Sequence, residues 1–143
     1  MTAAVEYLCI REGEPLPSID AYSPFKCVVI IQTAPSNEWQ HLVSRWLVDS
    51  GCLYMMAWGP SCSSWDDSVD YANLEDFEWK DIPDDRFVMT TWHDKEPLVE
   101  ALGFAKFAAE HPNVELTRCL LIDIGTNSRR EEILAEYAGA WVD

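Results

Sequence analysis

The sequence predicts an α/β domain built on a parallel sheet, and three observations carry that expectation. Four short apolar runs rich in β-branched or aromatic residues recur along the chain. Each is followed by a stretch whose apolar residues fall at helical spacing. The junctions are short and carry Pro, Gly, Ser, Asn or Asp, the residues that turns and helix caps require. Repeated strand–helix units close into a parallel sheet with helices over both faces, because each crossover must pass over the sheet and does so with one hand.

Val5–Ile10 is a candidate edge strand, and Pro15, Pro17 and Pro24 make the rest of an N-terminal arm over residues 1–24 irregular. Cys27-Val-Val-Ile-Ile31 is continuous rather than alternating, as expected for a strand covered on both faces. Pro35-Ser36 opens a helix with Trp39, Leu42, Val43, Trp46 and Leu47 on its inner stripe, ended by Gly51. Cys52–Trp58 is the second strand, and a helix follows from about Ser64 to Phe77 with Trp65, Val69, Ala72 and Phe77 inward. Glu78–Asp85 contains Ile-Pro-Asp-Asp, a turn signal, and Phe87–Trp92 is the third strand. Asp94 is a candidate cap for the next helix, with Pro97 in its first turn, Leu98, Ala101, Leu102, Ala105 and Ala108 inward, and a stop at His111-Pro112. Cys119–Ile124 is the fourth strand; Ser128-Arg-Arg-Glu131 has a capping-box pattern for a last helix with Ile133, Leu134, Tyr137 and Trp141 inward.

The expectation is one domain over residues 1–143, Rossmann-like and three-layered. Its four parallel strands span about 26–32, 52–58, 86–92 and 118–124. With the first strand central, their order is 3-2-1-4 or 2-1-3-4. A chain of 143 residues buries roughly two-thirds of its unfolded surface without disulfides or metals. The five cysteines (Cys9, Cys27, Cys52, Cys62 and Cys119) show no CxxC spacing. A disulfide framework or structural zinc is therefore not expected. No apolar run approaches the ~20 residues of a membrane helix, and the N-terminus lacks a basic region followed by an apolar one. A cytoplasmic location follows as the default expectation.

Charge is the strongest compositional signal: ten Lys and Arg against 25 Asp and Glu, a net −15. Nine acidic residues fall in Ser64–Asp85 against one base, Lys80. Such a face repels nucleic acid and anionic membranes and draws basic partners. It also serves simply to keep a small protein soluble.

Parallel sheets bind ligands outside the carboxyl ends of their strands. The richest segment there is Trp58-Gly-Pro-Ser-Cys62-Ser-Ser-Trp65-Asp66-Asp67-Ser-Val-Asp70-Tyr-Ala-Asn73. The same edge gathers Gln32-Thr33-Ala34, Thr91–Asp94, Glu96, Asp123 and Gly125–Ser128. One catalytic reading has Cys62 as nucleophile at a helix start, His93 as base and Asp123 or Asp94 as orienter. Asp66 and Asp67 argue against it, because they raise the thiol pKa. Asp66, Asp67 and Asp70 with His93 offer ligands for Mg²⁺ or Mn²⁺, but their spacing matches no metal motif and no metal or other cofactor is expected. The first strand–helix turn lacks the glycines of a dinucleotide or P-loop site. Trp58, Trp65 and Trp92 cluster at the loop edge as candidate binding residues with Asp66, Asp67, Asp70 and Asn73. Trp39, Trp46 and Trp141 sit at core spacing, and His41 and His111 read as structural.

The segments Cys52–Asn73 (CLYMMAWGPSCSSWDDSVDYAN) and Val88–His93 (VMTTWH) resemble the signature of a small bacterial family known only as a domain of unknown function. The resemblance runs from about Phe25 to the C-terminus and transfers no role to any residue.

The residues favour an acidic, non-catalytic interaction domain for a basic protein partner, by analogy with inhibitors and immunity proteins. The alternative is a small hydrolase or transferase using Cys62 and His93 or a divalent metal. A sensor of a small polar metabolite is a third class.

Overall fold

A computed structural model describes residues 3–142; residues 1, 2 and 143 of the expected single domain lie outside the described residues. The chain runs β1 (Ala4–Ile10), β2 (Phe25–Ile31), α1 (Asn37–Asp49), β3 (Cys52–Trp58), α2 (Ser63–Asp76), β4 (Met89–His93), α3 (Leu98–Phe107), β5 (Arg118–Ile124) and α4 (Arg130–Gly139). The strands form one sheet in the order β1-β5-β2-β3-β4, and every pairing is parallel.

The expected count of four strands is corrected to five. Ala4–Ile10 pairs with β5 along its whole length, from Ala4 opposite Arg118 to Ile10 opposite Ile124. Among the other four strands the order agrees with 3-2-1-4 and excludes 2-1-3-4. The chain steps outward from β2 to β3 to β4, then returns over the sheet to place β5 on the other side of β2.

The sheet separates two cores. Trp39, Val43 and Leu47 of α1 and Trp65 and Val69 of α2 pack on Val29, Ile31, Met55, Ala57, Leu120 and Ile122. Leu98, Leu102 and Ala105 of α3 and Ile133 and Tyr137 of α4 pack on Val28, Ile30, Tyr54, Met56 and Leu121. Because side chains alternate across a strand, the unbroken apolar run Cys27–Ile31 of β2 feeds both layers, and all seven residues of the strand, Lys26 included, are buried. Gly59 ends β3 at φ 118°, and a Cβ there would lie 2.3 Å from the Ile31 carbonyl oxygen, so only glycine allows this close approach of turn to strand.

Several local expectations are corrected. Asp94 is not the α3 cap; Pro97 takes that position without a side-chain hydrogen bond. Ser128 does not start a capping box, because α4 begins at Arg130 and the Arg129 N–H donates to the Tyr7 hydroxyl at 2.9 Å. The third strand starts at Met89, since Asp84–Arg86 form a 3-10 turn and the Val88 N–H donates to Asn73 Oδ1 at 3.0 Å. Helix α3 ends at Phe107, short of His111. Leu42, Ala108 and Trp141 were expected inward and are exposed. Trp141 lies across Gly103 of α3 and donates to Glu100 Oε2 at 3.1 Å.

Candidate functional site

The strand ends gather as a parallel sheet requires. Cys9, Asp123, Ile30, Trp58 and His93 stand opposite one another across all five strands, one step short of or at the carboxyl edge. Aligned residues of parallel strands share a face, and this row faces α3 and α4: Ile30 lies in that core, and Cys9 and Trp58 pack against it. Asp123 and His93 are therefore three strand spacings apart, about 14 Å.

Cys62 sits on the other face, buried in the core under α1 and α2 at 2% exposure. The His93 ring packs on Phe104 of α3, and both its nitrogens are engaged, Nδ1 with Glu96 Oε2 at 3.0 Å and Nε2 with Thr91 Oγ1 at 3.1 Å. The thiol meets the backbone N–H of His93 while the imidazole turns to the α3 face with both nitrogens engaged, so no ring nitrogen is offered to the sulfur for proton transfer. Burial pushes the Cys62 thiol up, the Asp94 carboxylate adds to that, and nearby backbone N–H groups offset part of it. Asp123 belongs to a different group of residues, at β1 and β5. The expected triad of Cys62, His93 and Asp123 shares an edge but forms no catalytic unit.

The acidic residues have a definite arrangement. Asp66 and Asp70, one turn apart on α2, both accept a hydrogen bond from the Thr90 hydroxyl of β4, Asp70 at 3.2 Å. Burial pushes Asp70 up to about 6, with the Asp66 carboxylate contributing and the Thr90 hydrogen bond opposing. Asp67 is exposed. Among the described residues no cationic side chain pairs with Asp66, Asp67 or Asp70. Lys80 pairs with Glu78, Arg45 with Asp49, Glu75 and Asp76, and Arg86 lies over the Phe77 ring. No group of three or more His, Cys, Asp or Glu side chains among the described residues converges as a metal site would.

The remaining candidates divide between surface and core. Trp92 is 49% exposed on the same side of β4 as Thr90. Trp65 is not a rim residue: at 1% exposure it is a core side chain on the inner stripe of α2. Asn73 is buried with both ends of its amide engaged, donating to the Arg86 carbonyl at 3.2 Å while accepting from Val88 N–H. Trp58 is half-buried and donates to the Glu96 carbonyl at 2.7 Å. His111 is buried, with Nε2 donating to the Phe87 carbonyl at 2.7 Å and Nδ1 accepting from Asn113 and Val114, a structural role as expected.

Sequence reading missed Tyr7 and Arg129. The Tyr7 hydroxyl donates to Asp123 Oδ2 at 2.5 Å, and Arg129 Nε lies 3.7 Å from the same oxygen. Burial, then the hydrogen bond to Asp123, pushes Tyr7 up to about 12. Tyr7 is 116 residues from Asp123, so no local spacing reveals the pair. The available signal was the aspartate itself, an ionisable residue inside an apolar strand run.

Two clefts, of about 360 and 810 Å³, open at the opposite edge of the sheet. The larger is lined by Lys26 and Lys106, whose ammonium groups are spent on helix-end carbonyls: Lys26 on Ala109, and Lys106 on Tyr137 and Ala138.

A family model described as a domain of unknown function (DUF7684) matches residues 5–140, and the chain belongs to that family. The match begins at β1, well before the start of the resemblance read from the sequence. No curated protein and no solved structure matches the chain.

Proposed function

We infer that this member of the DUF7684 family is a non-catalytic domain that binds a basic protein partner through the face formed by α2 and β4. The observation that carries this reading is the set of carboxylates at Asp66, Asp67 and Asp70, without a cationic partner among the described residues. Like charges held this close raise each other's energy, and a lysine or arginine from a partner lowers it.

Exposed aromatic rings supply the apolar part of the surface. Trp92 lies beside Thr90, and Tyr71, one turn along α2 from Asp67, packs edge-on against Trp79 at 4.8 Å. Tryptophan and tyrosine bounded by charge make up the energetic centres of many protein interfaces. β4 is also an edge strand, with one side paired to β3 and the other open to an added strand. A net −15 steers basic proteins inward and turns nucleic acid and anionic membranes away.

The test is affinity capture from lysate of the source cells, with the parent protein, an Asp66→Asn/Asp67→Asn/Asp70→Asn variant and Trp92→Ala as baits. A basic protein should be retained by the parent in low salt, released near 0.5 M salt as screening shortens to about 4 Å, and lost from both variants. Retention indifferent to salt and to both sets of substitutions would overturn the reading.

A further inference from the structure

Lys26 is the one charged residue of β2, and it is 6% exposed. Two positions before Val28, it shares that residue's face of the sheet, under α3 and α4. There it lines the cleft of about 810 Å³ at the amino ends of the strands. We propose that Lys26 is a reactive amine that captures a small, uncharged aldehyde from this cleft as an imine. The proposal is independent of the partner-binding face on α2 and β4.

The surroundings of Lys26 favour the free amine over the ammonium. Among the described residues it takes part in no ion pair. A buried ammonium without a counter-charge is costly, and a lysine escapes that cost by losing its proton. Opposite Lys26 on β5 stands Cys119, whose thiol burial pushes up to about 12, so it is neutral at pH 7 and balances nothing. The Tyr137 hydroxyl beside Cys119 is likewise pushed up by burial. Lys106, the other lysine of the cleft, adds positive charge. Burial accordingly pushes the Lys26 amine down; Cys119, as a thiolate, and the exposed Glu110 pull the other way. The hydrogen bond from Nζ to the Ala109 carbonyl, 3.1 Å long, uses one N–H and is made by a free amine as by an ammonium.

A lysine desolvated in this way is a nucleophile toward carbonyl compounds. The Nζ lone pair forms a bond to the carbonyl carbon, and the carbonyl oxygen leaves as water with the two amine protons. No oxidant or reductant is consumed. The cleft itself selects the aldehyde. Phe107, Val114 and Leu116 give it apolar walls. Glu110 and Glu115, which line it and are exposed, turn anions away, as does the net −15 of the chain.

The experiment treats the intact protein at neutral pH with benzaldehyde and cyanoborohydride, which reduces the imine to a stable benzylamine. Peptide mass spectrometry then compares the four lysines, Lys26, Lys80, Lys95 and Lys106. Exposure alone would label Lys80 and Lys95 first and Lys26 last. Lys26 should instead be modified at least about tenfold faster than any of the other three, because each tenfold fall in proton affinity leaves tenfold more free amine. The preference should vanish in urea and with glyoxylate, an anionic aldehyde. Lys26→Arg, which keeps a donor for the Ala109 carbonyl, should leave only the slow labelling of the other lysines. A smaller preference for Lys26 in the folded protein, or an equal one with glyoxylate, would overturn the proposal and leave Lys26 as a cation that ties down the end of α3.

Discussion

Packing and electrostatics at Cys62 act in the same direction: a thiol at 2% exposure, raised by burial and by Asp94, is a core side chain. Alkylation of the folded protein at neutral pH should therefore spare Cys62 and reach Cys9, which is half-buried, first. Peptide mass spectrometry checks this, and modification of Cys62 in the folded state at the rate seen in urea would contradict it. Asp70 is the opposite kind of residue, one whose environment opposes its charge. Its carboxyl is pushed up to about 6 in the folded protein, so the folded state holds that proton more tightly than the unfolded chain does. The stability this confers is complete below about pH 4, the ordinary aspartate range, and is lost as the pH rises through about 6. Asp70→Asn should accordingly be more stable than the parent at pH 7.5, by about 1 kcal/mol once solvent screening of a partly exposed group is allowed for. The advantage should shrink toward pH 4. Urea unfolding of both proteins across that range measures it, and a constant difference would refute the argument.

Helix α2 does more at the scale of elements than carry charge. Its inner stripe of Trp65, Val69 and Ala72 is buried against the sheet, and Asn73 fastens the segment that leads into β4. Without Asn73 the Val88 N–H and the Arg86 carbonyl lose their partners, and Val88 is 2% exposed. Asn73→Ala should cost about 1–3 kcal/mol and loosen residues 77–88 before the rest of the domain. Hydrogen exchange at Val88 reports this directly; unchanged protection there would show that the strap contributes nothing. The start of α1 is held differently. Ser36 accepts from the Trp39 N–H at 3.3 Å, and its own N–H and hydroxyl donate to Glu12 of the N-terminal arm, so a local cap also ties down the connection between β1 and β2.

The whole molecule carries 25 acidic residues that its ten basic residues cannot offset, leaving a net −15. Several of them are committed locally: Arg45 holds Asp49, Glu75 and Asp76, while Lys26 and Lys106 hold backbone carbonyls. Self-repulsion of the remaining carboxylates opposes the compact state and is screened by salt. The melting temperature should rise by a few degrees between about 10 mM and 0.3 M NaCl, ionic strengths whose screening lengths fall from about 30 Å to under 8 Å. The rise should be smaller in the Asp66→Asn/Asp67→Asn/Asp70→Asn variant. Calorimetry decides it, and equal salt responses would show that the α2 cluster is not where the repulsion is concentrated.

The amino-acid pattern by itself determined the four strand–helix units, the parallel sheet and the edge at which functional groups collect. Each of these follows from hydrophobic period and local turn chemistry, which act over a few residues. The strand at Val5–Ile10 was visible, but its full pairing was not, because β1 acquires its place from β5 more than a hundred residues away. Side-chain faces decided the rest. Cys62 and His93 have the residue types of a nucleophile and a base, yet the direction of a loop and the parity of a strand turn the thiol into one core and the imidazole toward the other face. Tryptophan at position 65 has the composition of a surface anchor and the depth of a core residue. The group formed by Tyr7, Asp123 and Arg129 exists only because the return from β4 places β5 beside β1. Local sequence sets period and turn, while contact between distant segments is set by how the strands are ordered, and that order is a property of the packed sheet.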